Sequence, residues 1–308
     1  MYEKIILITR KTRLEGLIER FNTKAQAKFY IEHSGGDFGL YQQEHDIYYA
    51  AVTALQRSLQ GLLKLQCIER EFLSNFIFSK TDLVVTIGID GLVVNTAKYL
   101  TGQPLIAVNP DPAHIDGILL PFAVPQAAAA VQRTLQGAAV IKPITMAEAR
   151  LNDGQRLLAF NDLFIGRQDH VSARYKIAVG NGRSEHHSSS GIIVSTGAGA
   201  TGWLSSLFNM ANGMMAGFGS GAGLEPPNMN WDSEQLLYVV REPFISKTSA
   251  AGIVCGTITS EAPLRLESAM PEGGVIFSDG VIADYLAFNA GTSATIGLAR
   301  RKTNLVVS

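Results

Sequence analysis

Asp82-Leu83-Val84-Val85-Thr86-Ile87-Gly88-Ile89-Asp90-Gly91 decides how this chain is read. Residues 83–87 are aliphatic or β-branched, the composition of a strand buried on both faces. A helical pattern follows through Leu100. Gly102-Gln103-Pro104 then turns the chain into a second strand at 105–108. Strand, helix and strand in that order predict a βαβ unit and a parallel sheet. Asp90 then falls at the carboxyl end of a parallel strand, the ligand edge of an α/β sheet. Glycines at such a turn let backbone N–H groups approach phosphate. A carboxylate there can hold Mg²⁺ or take the proton of an attacking hydroxyl. Spacing alone is met better by a plain strand–turn–helix junction with Asp90 as the helix cap.

Working outward, residues 4–8 predict a buried strand and 28–32 a second. Residues 45–74 carry Val52, Leu55, Leu59, Leu62 and Leu63 at helical spacing and predict one long helix or two. Residues 127–135 predict one more helix. Near Pro143 the pattern changes. Residues 146–151 and 155–160 flank Asn152-Asp153-Gly154, a hairpin signal. Further short strands are predicted at 173–179, 191–195, 236–241, 252–259, 264–267 and 275–278. Helices are few, so the second half reads as β-rich. The last stretch, 292–307, is strand-like and fits either half. Residues 212–230, rich in Gly, Met, Asn and Pro, read as a long loop. That loop is a surface insertion or a lid.

A chain of 308 residues with 46% hydrophobic and 17% charged residues can bury a large core, which excludes a disordered chain. The net charge of −1 offers nothing to nucleic acid or an anionic membrane. Two distant cysteines, Cys67 and Cys255, exclude a disulfide scaffold and fit a reducing compartment. The first ten residues do not read as a signal peptide, and no apolar run is long enough to span a bilayer. The expectation is a cytoplasmic protein.

Gly197-Ala198-Gly199-Ala200-Thr201-Gly202 matches the Gly-x-Gly-x-x-Gly dinucleotide pattern. A Rossmann unit also needs an acid at the end of a strand roughly 20 residues on. Here that region is the Gly/Met loop. What remains is a glycine-rich turn opening a helix at 203–210, suited to phosphate or ribose. Asn161-Asp162 follows the strand at 155–160 and can grip a ribose diol or an adenine edge, although strand ends commonly carry such pairs as turns. The six histidines form no metal-ligand spacing. There is no Gly-Lys phosphate loop and no Gly-x-Ser-x-Gly elbow.

Together these stretches resemble the NAD kinase family, within the superfamily that includes the diacylglycerol kinases. Residues 82–91 resemble the strand leading into the family's Gly-Gly-Asp-Gly motif. Asn161-Asp162 resembles its Asn-Glu/Asp pair. Residues 190–203, Ser-Gly-Ile-Ile-Val-Ser-Thr-Gly-Ala-Gly-Ala-Thr-Gly-Trp, resemble its long Gly/Thr-rich motif, the most specific of the matches. Residues 275–280 resemble the late Asp-Gly strand. Val108-Asn109-Pro110-Asp111-Pro112 and 189–197 are similar to the mitochondrial-type branch.

The resemblance implies an α/β N-terminal domain with a parallel sheet (1–125) and a β-rich C-terminal domain (140–287), with a tail at about 288–308 returning to the first. It implies phosphoryl transfer from ATP, with Mg²⁺, to the 2′-hydroxyl of the adenosine ribose of NAD. Asp90 would be the catalytic carboxylate. Gly88, Gly91 and Asn109 would bind nucleotide from the first domain. Asn161, Asp162, Ser190, Thr196, Ala198, Thr201, Gly202, Trp203 and Ser206 would line the dinucleotide site, with Trp203 stacking on a base. No residue is assigned as a metal ligand. A homodimer or homotetramer is implied. Two positions depart from the motif: Ile89 replaces its second glycine and Leu92 its threonine, which places a Cβ at the donor turn and removes a hydroxyl. Two other readings share the fold: a kinase of another nucleotide or sugar, and a non-catalytic NAD(P)-binding protein. A Rossmann oxidoreductase using residues 197–202 is a third.

Overall fold

The computed structural model describes residues 2–180, 182–219 and 223–307. The chain divides into two compact units. One comprises residues 1–142 with 303–308, the other residues 143–302.

The first unit is built on parallel strands. In chain order they are β1 (Lys4–Thr9), β2 (Lys64–Glu69), β3 (Asp82–Ile87), β4 (Pro104–Asn109) and the two-residue β5 (Phe122–Ala123). The order across the sheet is β2-β1-β3-β4, and every pairing is parallel. β5 and residues 304–305 also pair with β4. The helices are α1 (Arg13–Phe21), α2 (Lys24–His33), α3 (Phe38–Leu59), α4 (Asp90–Ala97) and α5 (Val124–Leu135). Alternate residues of the central strands, Ile5, Leu7, Leu83, Val85, Ile87, Ile106 and Val108, meet Tyr48, Val52, Leu55 and Leu59 of α3 and Ala127, Ala130 and Val131 of α5. From β1 the chain goes to β2 on one side, then returns to β3 on the other. The order therefore reverses between β1 and β3, and their carboxyl ends flank the crevice where α/β sheets take ligands.

The second unit holds the antiparallel strands. These are β6 (Val140–Leu151, entering from the first unit), β7 (Arg156–Ala159), β8 (Asp162–Arg167), β9 (Ala173–Ala178), β10 (Ser184–Ser189) and β11 (Ile192–Ser195). They continue with β12 (Leu236–Val240), β13 (Cys255–Ile258), β14 (Leu264–Ser268), β15 (Gly274–Ser278), β16 (Val281–Ala287) and β17 (Ser293–Val307). One sheet runs β13-β12-β11-β8-β15-β16. Against it stand β10-β9-β14 and the first part of β17, with the β6–β7 hairpin attached to β17. Inward residues of both sheets, among them Leu163, Ile165, Ile192, Val194, Tyr175, Ile177, Leu264 and Ile296, form one core. Among the described residues the only long helix here is α6 (Ser205–Gly217).

Several expectations are corrected. Residues 28–32 lie in α2, not a strand. Thr23 caps that helix, and Ala27 and Ile31, four residues apart, are its buried positions. The segment 45–74 is not all helix. α3 ends at Leu59, the chain turns at Gly61, and residues 64–69 pair with β1 before a short 3-10 helix at Arg70–Asn75. Leu62 and Leu63 keep helical spacing with α3 but cover the same core from a turn. β8 and β10 carry polar and glycine residues and were not foreseen. The expected loop at 212–230 begins as helix, since α6 runs to Gly217, and its residues 220–222 lie outside the described residues. The return to the first unit comes at 303, later than 288. The earlier half of β17 pairs with β14, and only its end pairs with β4.

Candidate functional site

The first unit's candidate residues lie at the carboxyl ends of β3 and β4. Gly88 is buried, and a Cβ there would lie 3.0 Å from a Leu92 methyl and 3.4 Å from Arg10 Cδ. Ile89 is extended (φ −102°, ψ 167°), a conformation ordinary for isoleucine, and its side chain is 41% exposed. Position 89 therefore does not demand glycine in this chain. Leu92 is buried beneath the turn. Asp90 is the first residue of α4, yet its carboxylate does not cap that helix. Its Oδ2 accepts from Ile118 N at 3.2 Å and its Oδ1 from Leu119 N at 3.0 Å. Both oxygens are thus held by the loop that follows β4, and each keeps acceptor capacity. Asn109 secures the same loop: its Nδ2 donates to Ile115 O at 2.8 Å and its Oδ1 accepts from Asp111 N at 2.9 Å. Asn109 acts as a clasp on the loop that orients Asp90. Gly91 is exposed at the turn.

Arg10, the residue after β1, was not singled out as a site residue. Its N–H donates to the Tyr48 hydroxyl at 2.8 Å, and that hydroxyl donates to Ile87 O at 3.2 Å. Tyr48 thereby joins the ends of β1 and β3. Burial pushes its phenol up to about 12, so it stays a neutral donor. The signal for Arg10 was its place at a strand's carboxyl end, the same signal that marked Asp90.

In the second unit, register brings Asn161, Asp162, Thr196 and Asp279 to one edge. Ser195 pairs with Asp162, and Ser278 pairs with Leu163. Asp279 sits in a left-handed turn (φ 55°). Its Oδ2 accepts from Phe160 N at 3.1 Å, while Oδ1 accepts from Asn161 N at 2.7 Å and Asp162 N at 3.3 Å. Thr196 ties the next strand in. Its Oγ1 donates to Phe160 O at 2.6 Å and accepts from Gly199 N at 3.2 Å. The Asp162 carboxyl is buried but makes no hydrogen bond among the described residues. Burial, with the Asp279 charge beside it, raises it to about 7. Asn161 is half-buried, and its side-chain amide is likewise unengaged among the described residues. An unbonded amide and an unbonded carboxyl, side by side on a rigid edge, are what a diol or base edge needs for recognition.

The glycines that follow serve close approach. A Cβ on Gly197 would lie 1.9 Å from Asn230 O, and one on Gly199 would lie 2.1 Å from Asn161 O. Ala198 between them is half-buried. The third glycine of the pattern, Gly202, differs: a Cβ there would meet nothing within 4 Å. Thr201 and Gly202 are exposed, in a widened helical turn at Ala200–Leu204 that leads into α6. Trp203 stacks on Phe164 at 5.9 Å between ring centres, with the Arg241 guanidinium 5.7 Å from the indole. Ser206 Oγ lies 3.4 Å from Gly202 O. Ser190 stands apart from the Thr196 edge. It lies at the other end of β11, about 20 Å away by the rise of an extended strand, and its N–H bonds Arg241 O. The sequence marks Asp279 only as part of a late Asp-Gly pair, and its three N–H contacts leave no trace in spacing.

No protein-family model matches the chain. Over 127 residues, 39% of this chain, it is 34% identical to a NAD kinase of Heliobacterium modesticaldum (strain ATCC 51547 / Ice1). That match spans 44% of the relative's length. The NAD kinase from Archaeoglobus fulgidus, whose crystal structure is in complex with ATP, is similar with a TM-score of 0.58 and 14% identity, over 98% of this chain and 93% of that one. Yeast NADH kinase complexed with NADH gives a TM-score of 0.60 and 14% identity, over 100% of this chain and 84% of that one. Part of the sequence is thus similar to a NAD kinase, and the fold, an α/β unit with a parallel sheet followed by a β-rich unit, is the NAD kinase fold.

Proposed function

We propose that this chain is a NAD kinase, moving the terminal phosphoryl group of ATP to the 2′-hydroxyl of the adenosine ribose of NAD. The observation that carries the reading is Asp90, at the carboxyl end of β3 with each oxygen held by a backbone N–H of the 118–119 loop. A carboxylate so held keeps one orientation and needs no rearrangement to meet an incoming hydroxyl. In the reaction Asp90 accepts the hydroxyl proton as the ribose oxygen forms its bond to phosphorus. The bond from that phosphorus to the bridging oxygen breaks, and ADP leaves with the electron pair. Phosphoryl transfer asks a protein mainly for positioning and charge neutralisation. Asn161 and Asp162 hold the dinucleotide, with Thr201, Gly202, Trp203 and Ser206 along the turn beside them.

Among the described residues no three His, Cys, Asp or Glu side chains converge as a metal cage. Mg²⁺ would arrive on the triphosphate, where it would offset phosphate charge, with Asp90 the carboxylate at hand. The ordinary backbone at Ile89 favours a working donor turn over a purely binding protein. The lean to the mitochondrial-type branch rests on residues 108–112 and 189–197. Among the described residues no helix is long and apolar enough to cross a membrane. A cytoplasmic homodimer or homotetramer belongs to the same proposal, and analytical ultracentrifugation tests the assembly.

The product tests the function. The protein, given MgATP and NAD, should yield one ADP and one NADP per turnover, with the new phosphorus resonance at the ribose 2′ position. ATP hydrolysis without NADP, or NAD binding without turnover, would overturn the assignment.

A further inference from the structure

The second unit carries a cluster of arginines that none of the motifs read from the sequence accounts for. In the β6–β7 hairpin, Ala147, Ala149, Leu151, Leu157 and Ala159 face the core. Alternation turns Glu148, Arg150 and Arg156 to the other face. Arg150 pairs directly with Arg156 across the hairpin. Both are drawn to Glu148: Arg150 Nη2 reaches its Oε2 at 2.8 Å, and Arg156 Nη1 lies 3.5 Å from its Oε1. A third guanidinium, Arg301 on β17, the strand beside β6, is in the field of the same carboxylate. Burial lowers Arg301 from its ordinary range, and the Glu148 charge works against that. Arg150 and Arg156 outnumber Glu148, and Arg301 adds further positive charge to the same face. The other acid of the hairpin, Asp153, is turned to Gln155, whose N and Nε2 donate to it at 2.9 and 2.6 Å.

Two features set the cluster apart from an ordinary surface ion pair. Like charges directly opposite on paired strands repel, so the Arg150–Arg156 pair costs stability unless an anion joins it. Donor capacity is also left over. Arg150 Nε is buried with no hydrogen-bond partner. Arg156 makes no hydrogen bond among the described residues, only the 3.5 Å ion pair. Glu148 is the buried member, its side chain 11% exposed, whereas those of Arg150 and Arg156 are 42% and 56% exposed. The carboxylate is thus an inner anchor, and the two forks are open to solvent. Planar forks with spare N–H groups match a tetrahedral oxyanion, and the surplus positive charge favours a dianion over a monoanion. From Arg156 the chain runs along β7 to Asn161, about 16 Å of extended backbone. The cluster therefore stands apart from the Asn161–Asp162 edge.

We propose that the β6–β7 hairpin and β17 form a binding site for a phosphate dianion, free or as a monoester, with Arg150 and Arg156 as its forks, Arg301 as added positive charge and Glu148 as the anchor that holds the forks. Arg156 is exposed and turned away from the core, so it can be changed without disturbing the fold. The inference does not rest on the kinase reading, and the binding is measurable without turnover.

The test is calorimetry on the full chain at about pH 8, where phosphate is a dianion. Sodium phosphate, ribose 5-phosphate and sodium formate are titrated separately, at matched ionic strength, into the wild type, Arg156→Gln and Arg156→Lys. Phosphate should bind saturably, and Arg156→Gln should weaken it about tenfold or more. Arg156→Lys should recover only part of that, because an ammonium cannot form the fork. The Arg150 Nε–H resonance, assigned with Arg150→Lys, should shift when phosphate is added to the wild type. Ribose 5-phosphate bound more tightly than phosphate assigns the site to a monoester, and equal or weaker binding assigns it to free phosphate. In phosphate-free buffer Arg156→Gln should melt no lower than the wild type, since it relieves the Arg150–Arg156 repulsion. Absence of saturable phosphate binding, formate bound as tightly as phosphate, or phosphate affinity unmoved by Arg156→Gln overturns the proposal. A Tm lowered by Arg156→Gln with phosphate affinity unchanged would show that the cluster is an ion-pair network and nothing more.

Discussion

Asp279 decides the chemistry of its neighbour. By accepting three backbone N–H groups it pins the 160–162 corner, and by its charge it adds to the burial that raises Asp162 to about 7. The sign of the consequence is fixed. An acid raised on folding from 3.8 favours its neutral form in the folded chain, so its stabilising contribution is complete below pH 4 and is lost as pH rises through 7. Asp162→Asn should therefore melt like the wild type at pH 4 and above it at pH 8, by an amount of the order of 2–4 kcal/mol. It should also lose affinity for NAD, because the ionised carboxylate is the acceptor for ribose hydroxyls. Wild-type affinity should rise between pH 6 and 8. Asp279→Asn should move that midpoint towards acid, since it removes the neighbouring charge while leaving Asp162 in place. A flat pH profile in the wild type would show that Asp162 does not meet the ligand.

At the scale of the element, the glycine-rich turn after β11 separates two uses of glycine that a sequence pattern merges. Gly199 lies against the Asn161 carbonyl, so Gly199→Ala should cost about 2 kcal/mol or more in urea unfolding. Gly202 has open space around it, so Gly202→Ala should cost less than Gly199→Ala and act on nucleotide binding. Equal destabilisation by both would contradict this division. The contrast also shows what was legible. The strand at 82–87, its Gly88–Asp90 turn and the whole of 190–203 were readable because their signals are local: buried aliphatic runs, then glycines, then a helix. Arg10 was not, because it lies just past a strand end and only the β2-β1-β3-β4 order sets it beside Gly88. Residues 28–32 predict a strand because Phe29 and Tyr30 have strand-like composition, yet they lie in the helix Lys24–His33. They are exposed, and the buried pair four residues apart was the better signal. Asp90 was placed correctly at the strand end, but its loop partners, 28 and 29 residues away, had no signature.

For the whole molecule, each unit has its own core, and the chain crosses between them more than once. β17 gives its first half to the second unit and its last residues to the first. Leu305 and Val306 are fully buried there. Leu305→Ala should destabilise by about 2–5 kcal/mol, and hydrogen exchange should rise first in β3 and β4 rather than in β8, β11 and β15. Exchange rising first in the second unit would contradict the placing of residues 303–308 in the first. The proposed function rests on the Asp90 loop in the first unit and on the Asn161–Asp162 edge in the second, with Asp90 as the base that lets this chain phosphorylate NAD. Its most direct test is Asp90→Asn, assayed for NADP formation from MgATP and NAD, with NAD binding measured on the same sample. The account predicts a kcat lower by about 10²–10⁴ with NAD affinity preserved. Unchanged turnover in Asp90→Asn, or a wild type that binds NAD and makes no NADP, would contradict it.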